Sequence, residues 1–142
     1  MTDVVIDATI VLKWFLPELD DAACLRLLNS PIKMHAPTLL AVQVGQALGR
    51  RTKTGHVTQE VANRVMATMH RLPIRWTGDA ELSAAALRIT QLSSRSFPDA
   101  VYFALAAKLD APVVSADRRW CQIVGSGPLC DWVRFVGDVS YD

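Results

Sequence analysis

Apolar and polar positions along this chain follow two alternating rhythms. Val4-Val5-Ile6 is a short β-branched run that ends on Asp7, the pattern of a strand covered on both faces. Short runs at Met34-His35-Ala36, Ile74-Arg75-Trp76 and Val113-Val114-Ser115, and at 133–136, predict four more strands. The stretches between them carry helical spacing. Residues 10–16 read as a helix that Thr9 caps and Pro17 stops. A second helix starts at Asp20 or Asp21, turns Ala23, Leu27 and Leu28 inward, and ends at Asn29-Ser30-Pro31. Pro37 and Thr38 mark the next N-terminus. Leu40, Val44, Ala47 and Leu48 follow at helical spacing, and Gly55 closes that helix. Thr58, with Glu60 close behind, opens a helix with the stripe Val61, Val65, Met69 and Leu72, which Pro73 stops. Asp79 caps another, with Leu82, Ala85, Ile89 and Leu92 on its inner face. Pro98 then stands in the first turn of a helix over 99–109 that is apolar almost all round and should be deeply buried.

Strands alternating with helices imply right-handed βαβ units. The expected architecture is α/β: a single domain over residues 1–142, with a mainly parallel central sheet of about five short strands and helices on both faces. A length of 142 residues is enough to bury a core without staples. No apolar run approaches the ~20 residues that cross a bilayer, so no membrane partner is expected. Acids before and inside the first apolar stretch, without a basic leader, argue against a signal peptide and for a cytoplasmic location. Cys24, Cys121 and Cys130 are odd in number and widely spaced, which suits a reducing compartment better than a disulfide framework or a zinc site. His35, His56 and His70 are equally scattered and read as structural or solvent-facing.

The net charge of +1 predicts no strong nucleic-acid affinity by itself. Its distribution changes the picture. Arg50, Arg51, Lys53, Arg64, Arg71 and Arg75 face a single acid, Glu60, within residues 50–75. Such a stretch is either a solvated helical surface or a flank for a phosphodiester chain.

In parallel sheets, ligands collect beyond the carboxyl ends of the strands. Asp7 follows the first predicted strand, Asp117 follows the fourth, and Asp99 starts a helix leading back into the sheet. Each alone could be a helix cap, a dipole partner or a turn residue. Together they would repel at one sheet edge unless a cation joins them. Hard oxygen donors favour Mg²⁺ or Mn²⁺, which can polarise a phosphoryl oxygen and activate a water.

The segments VVIDATIVLKWFLPE, APTLLAVQVGQAL and SFPDAVYFALAAKLDAPVVSADRRW, in this order, resemble the PIN-domain ribonucleases, specifically the toxin half of VapBC-type toxin–antitoxin pairs. The resemblance runs from about Val4 to Trp120. It implies that Asp7, Asp99 and Asp117 occupy three acidic metal-site positions and that Thr9 is the small hydroxyl residue beside them. It also implies Mg²⁺-dependent cleavage of RNA such as transfer RNA, a homodimer, and neutralisation by a small antitoxin protein. Three positions depart from the pattern. The family's usual glutamate falls on Gln43 and its usual asparagine on Gln46, while Pro98 stands where an aromatic residue is common. Glutamine keeps an oxygen donor but loses a full charge and cannot act as a general base.

The expectation is therefore a metal-dependent ribonuclease weakened at Gln43. The alternative is an impaired module that binds a partner protein or RNA without cutting it. Arg50, Arg51 and Lys53, with Arg118 and Arg119 beside a metal-site acid, are the expected phosphate contacts. Gln43, Gln46 and Arg50 should share one helix face. A phosphatase of the haloacid dehalogenase type also carries its nucleophile after a first strand. That class needs a second aspartate where this chain has Thr9.

Overall fold

Five short strands hydrogen-bond side by side in the order β3-β2-β1-β4-β5, and every neighbouring pair is parallel. The computed structural model describes residues 2–16 and 21–141. The strands are β1 (Asp3–Ile6), β2 (Lys33–Pro37), β3 (Ile74–Thr77), β4 (Val113–Ser115) and β5 (Val133–Phe135). Between them run α1 (Ala8–Phe15), α2 (Ala22–Leu28), α3 (Leu39–Lys53), α4 (Gln59–Thr68), α5 (Asp79–Leu92), α6 (Phe97–Leu109) and α7 (Arg118–Gly125). The predicted α/β architecture is observed, with an entirely parallel sheet.

The central strand is the most apolar. Val4, Val5 and Ile6 are wholly buried, as are Val113 and Val114 beside them. Each such side chain contributes roughly 1.5–3 kcal/mol relative to exposure. With the usual right-handed crossovers, the strand order sets α1–α4 on one face and α5–α7 on the other. The packing agrees: α1 lies against α2 and α3, α3 against α4, and α5 along α6. On the second face Phe103 of α6 stacks on Trp120 of α7 at 5.8 Å between ring centroids. Residues Ala100–Ala106 of α6 are all buried, as its all-round apolar sequence predicts. A left-handed Gly55 follows Thr54 at the end of α3, where only glycine adopts that backbone without strain.

Several local expectations need correction. Asp7, not Thr9, caps α1, because the Thr9 hydroxyl is drawn into contacts with the β4 end. Pro37 is the last residue of β2, and Thr38 beside it is the N-cap of α3, where the sequence places that helix start. Asp79 does not cap its own helix: Gly78 holds that place, and the Asp79 carboxylate accepts the Leu39 N–H of α3 at 2.9 Å. Thr38 returns the favour by accepting the Asp79 N–H at 3.1 Å, so two helix starts cap each other across the β2–β3 edge. Leu92 is 80% exposed, and Ala86 takes the inward place. Helix α6 begins at Phe97, two residues before Asp99, with Ser96 as its cap. Val136 lies in a short 3₁₀ turn rather than in β5, and α7 was not predicted. Pro17 and Asp20 lie outside the described residues; Asp21 caps α2.

Candidate active site

The chain steps outward from β1 to β3, then crosses back to β4 on the other side of β1. At such a reversal the connections leave neighbouring strands toward opposite faces, and a crevice opens outside their carboxyl ends. A cleft of about 320 Å³ lies there, lined by Asp7, Asp99 and Asp117 and by Gln43, Tyr102 and Trp120. Gln46 and Arg50 extend its α3 wall.

Asp7 ends β1 in sequence and caps α1. Its carboxylate accepts the Thr9 N–H at 3.1 Å and also the Thr9 hydroxyl. While donating to Asp7, the Thr9 hydroxyl accepts from the Ala116 N–H at 2.9 Å and lies 3.2 Å from the Ser115 hydroxyl. Ser115 in turn accepts the Asp117 N–H at 3.1 Å. Thr9 and Ser115 thus tie the two strand ends, and with them the two aspartates, into one polar run. Burial pushes the Asp7 carboxyl up to about 6, and the bonds from Ser115 and Thr9 offset this only in part.

Asp117 caps α7 by accepting the Trp120 N–H at 3.0 Å. Asp99, in the first turn of α6, accepts the Trp120 indole N–H at 3.2 Å and faces the Arg95 guanidinium at 3.7 Å. One turn along α6 from Asp99, the buried Tyr102 hydroxyl donates to Gln43 Oε1 of α3 at 2.7 Å. Burial, then the nearby Asp7, Asp79 and Asp99, push the Tyr102 hydroxyl far above its ordinary range, so it stays a neutral donor.

The three aspartates therefore share one cleft, Asp7 held by Thr9 and both Asp99 and Asp117 by Trp120. Among the described residues, no three His, Cys, Asp or Glu side chains are gathered into a group that could hold a metal ion. Each of the three carboxylates accepts from a donor of the chain instead. In kind, however, three carboxylates on one cleft are the hard oxygen donors that a small divalent cation takes.

The basic residues divide. Arg50 is on the cleft, and Arg50 with Arg51 lines the adjoining hollow beside Leu12 and His56. Lys53 is exposed at the end of α3. Arg118 lies over the Phe135 ring, 4.1 Å from its centroid, and lines a different hollow against β5; Arg119 is exposed beside it. Arg64 pairs with Glu60 on the surface of α4. Arg71 and Arg75 sit at the amino end of β3, away from the carboxyl ends where the cleft lies.

Sequence reasoning passed over Ser115, Tyr102 and Trp120. Two carried a readable signal. Tyr102 is three residues after Asp99 and Trp120 three after Asp117, so each sits one turn from an acid on its own helix.

Comparison with known proteins follows the same lines. The PIN domain family model matches residues 4–125. Ribonuclease VapC1 of Mycobacterium tuberculosis, in strains CDC 1551 / Oshkosh and ATCC 25618 / H37Rv, is 32% identical over 121 residues, 84% of this chain and 89% of the relative. Among solved structures, a toxin–antitoxin complex from Klebsiella pneumoniae superposes with a TM-score of 0.65 at 12% identity, covering 96% of this chain and 99% of that one. Mycobacterium tuberculosis VapC20, described as a sarcin-ricin loop cleaving toxin, gives 0.58 at 20% identity over 80% of this chain and 87% of that one. Both structures share the fold. With a PIN model spanning most of its length and a VapC relative aligned along most of both chains, this protein belongs to the PIN-domain family, among the VapC-type toxin ribonucleases.

Proposed function

We propose that the chain is a divalent-metal-dependent endoribonuclease, using Mg²⁺ or Mn²⁺, that cuts structured RNA and is held in check by a small antitoxin protein. The observation that carries this is the convergence of Asp7, Asp99 and Asp117 from three separate elements on one cleft at the sheet's reversal point. The relatives support it: VapC1 is a ribonuclease, VapC20 cleaves the sarcin-ricin loop, and the Klebsiella structure is a toxin–antitoxin complex. Transfer RNA is the substrate to try first. A homodimer working in the cytoplasm completes the reading; among the described residues no helix is long and apolar enough to cross a membrane.

Asp7, Asp99 and Asp117 would hold the ion, which supplies charge for the phosphoryl oxygen and acidity for a water. The chain's own residues do the rest. Thr9 and Ser115 fix the spacing of the β1 and β4 ends. Trp120 aims Asp99 and Asp117. Arg50, with Arg51 and Lys53 farther along α3, would hold the phosphate backbone at the cleft mouth, and Arg118 and Arg119 a more distant segment. The test is purified chain with Mn²⁺ and total transfer RNA, beside its Asp7→Asn variant. Cleavage that disappears with Asp7→Asn is the expected result; no cleavage of any cellular RNA would sink the proposal.

One observation favours a second reading. Gln43, at the position where a glutamate is usual, already spends its oxygen on Tyr102. A chain that binds antitoxin or RNA without cutting would follow, and wild-type chain that binds RNA yet leaves it intact with Mn²⁺ would support it.

A further inference from the structure

Building on the RNA-cleaving reading, we infer that Gln43 is a hydrogen-bond donor to the RNA backbone rather than a metal ligand, and that Tyr102 is the positioning residue that makes it one. A glutamine amide ligates and accepts only through its oxygen, which has two lone pairs, and donates only through its –NH₂. In this cleft one of those lone pairs is already taken. Tyr102 reaches over from α6 and donates its hydroxyl to Gln43 Oε1 at 2.7 Å. Tyr102 is itself only 4% exposed and is fixed by the packing of α6, so the bond has little freedom to open. Accepting at its oxygen leaves Gln43 with its –NH₂ for the cleft that it lines.

The rest of the α3 wall has the same character. Gln46 and Arg50 follow Gln43 at helical spacing and line the same cleft. Two amides and a guanidinium of α3 therefore line the same cleft as the three carboxylates. A phosphodiester draws on those donors, and the carboxylates beside it repel it less when a cation lies between. A glutamate at position 43 would place a fourth anion on the donor wall and oppose an incoming phosphate; a pinned glutamine receives it. The ligand class is the nonbridging oxygens of an RNA phosphate, engaged by the α3 wall with or without metal.

Two measurements on the full chain test this. The first is fluorescence anisotropy with a labelled single-stranded RNA oligonucleotide in chelator, where cleavage is silent. Gln43→Ala and Gln43→Glu should weaken binding, the latter by about tenfold, as for a charge-assisted contact replaced by repulsion. Tyr102→Phe should weaken it by a few-fold, and should add nothing further in a Gln43→Ala background. The second is titration with Mn²⁺ alone, which Gln43→Ala should leave unchanged within about twofold. A tenfold loss of Mn²⁺ affinity in Gln43→Ala would make Gln43 a ligand and overturn the inference. So would undiminished RNA binding by Gln43→Glu, or additive effects of Tyr102→Phe and Gln43→Ala. Wild-type chain that binds no RNA in chelator removes this inference, as does intact wild-type binding with unaffected variants, whereas the RNA-cleaving reading falls only if no RNA is cut with Mn²⁺. Melting curves of each variant separate loss of contact from loss of fold.

Discussion

Trp120 holds Asp99 with its indole N–H at 3.2 Å while its backbone N–H holds Asp117 at 3.0 Å. One residue thus grips two cleft carboxylates that come from different helices. Replacing it by phenylalanine keeps the ring against Phe103 and keeps the backbone cap, but frees Asp99 on one side. Cleavage by Trp120→Phe should fall by roughly 10–100-fold, the usual penalty for losing a partner that orients a ligand. The melting temperature should drop by only a few degrees. Initial rates at saturating Mn²⁺, with a parallel thermal melt, would show this, and unchanged rates would deny Trp120 the role.

The Asp7 carboxyl gives a prediction with a sign. Its folded-state value of about 6 lies above the ordinary 3.8, so the folded chain binds the proton more tightly than the unfolded chain does. Stability in chelator should therefore decline as pH rises from about 4 to about 6 and carry the full penalty above that. Asn can serve the same N-cap without the charge. Asp7→Asn should then be more stable than wild type at pH 8, on the order of 2 kcal/mol, with the gap closing near pH 4. Urea melts at the two pH values decide it. A variant less stable at both would mean that burial does not dominate at Asp7.

Much of this site could be read directly from the chain. An acid directly after Val4-Val5-Ile6, and another two residues beyond Val113-Val114-Ser115, are local signals that survive folding unchanged. Gln43, Gln46 and Arg50 likewise share one face because a helix guarantees it. What stayed hidden was tertiary. Thr9 has the chemistry of a cap, yet its hydroxyl is claimed by Ala116 and Ser115 from across the sheet. Asp79 looks like a cap for the helix it begins, and the donor it serves belongs to α3. Helix α7 is only eight residues long and opens on two arginines, so its apolar stripe reduces to Cys121 and Val124. Leu92 fits an apolar period but stands at the last turn of α5, where no neighbour covers it within the described residues.

The exchange of caps between Thr38 and Asp79 should be measurable by itself. Asp79→Ala strips the Leu39 N–H of its acceptor and should destabilise the fold by about 1 kcal/mol. Asp79→Asn retains an oxygen and should recover most of it. Equilibrium urea unfolding of both variants is the check, and equal losses would point to charge rather than capping.

Arg50 makes the clearest prediction for substrate binding. It lies on the cleft wall at the C-terminal turn of α3. Arg50→Ala should weaken RNA binding at low salt and reduce the slope of log affinity against log salt by about one contact. Arg75→Ala, at the opposite end of the sheet, should leave that slope unchanged. Anisotropy titrations from low to moderate salt would show whether the two differ.

The pairing of β1 with β4 also sets a timetable. Thr9 and Ser115, which join the two halves of the cleft, are 106 residues apart. A ribosome adding ~5–20 residues per second needs roughly 5–20 seconds to get from one to the other. Throughout that interval the nascent chain can set Asp7 beside the end of β2 but not beside the end of β4 and Asp117. The cleft is thus assembled late, its first carboxylate waiting for the strand that brings its neighbour.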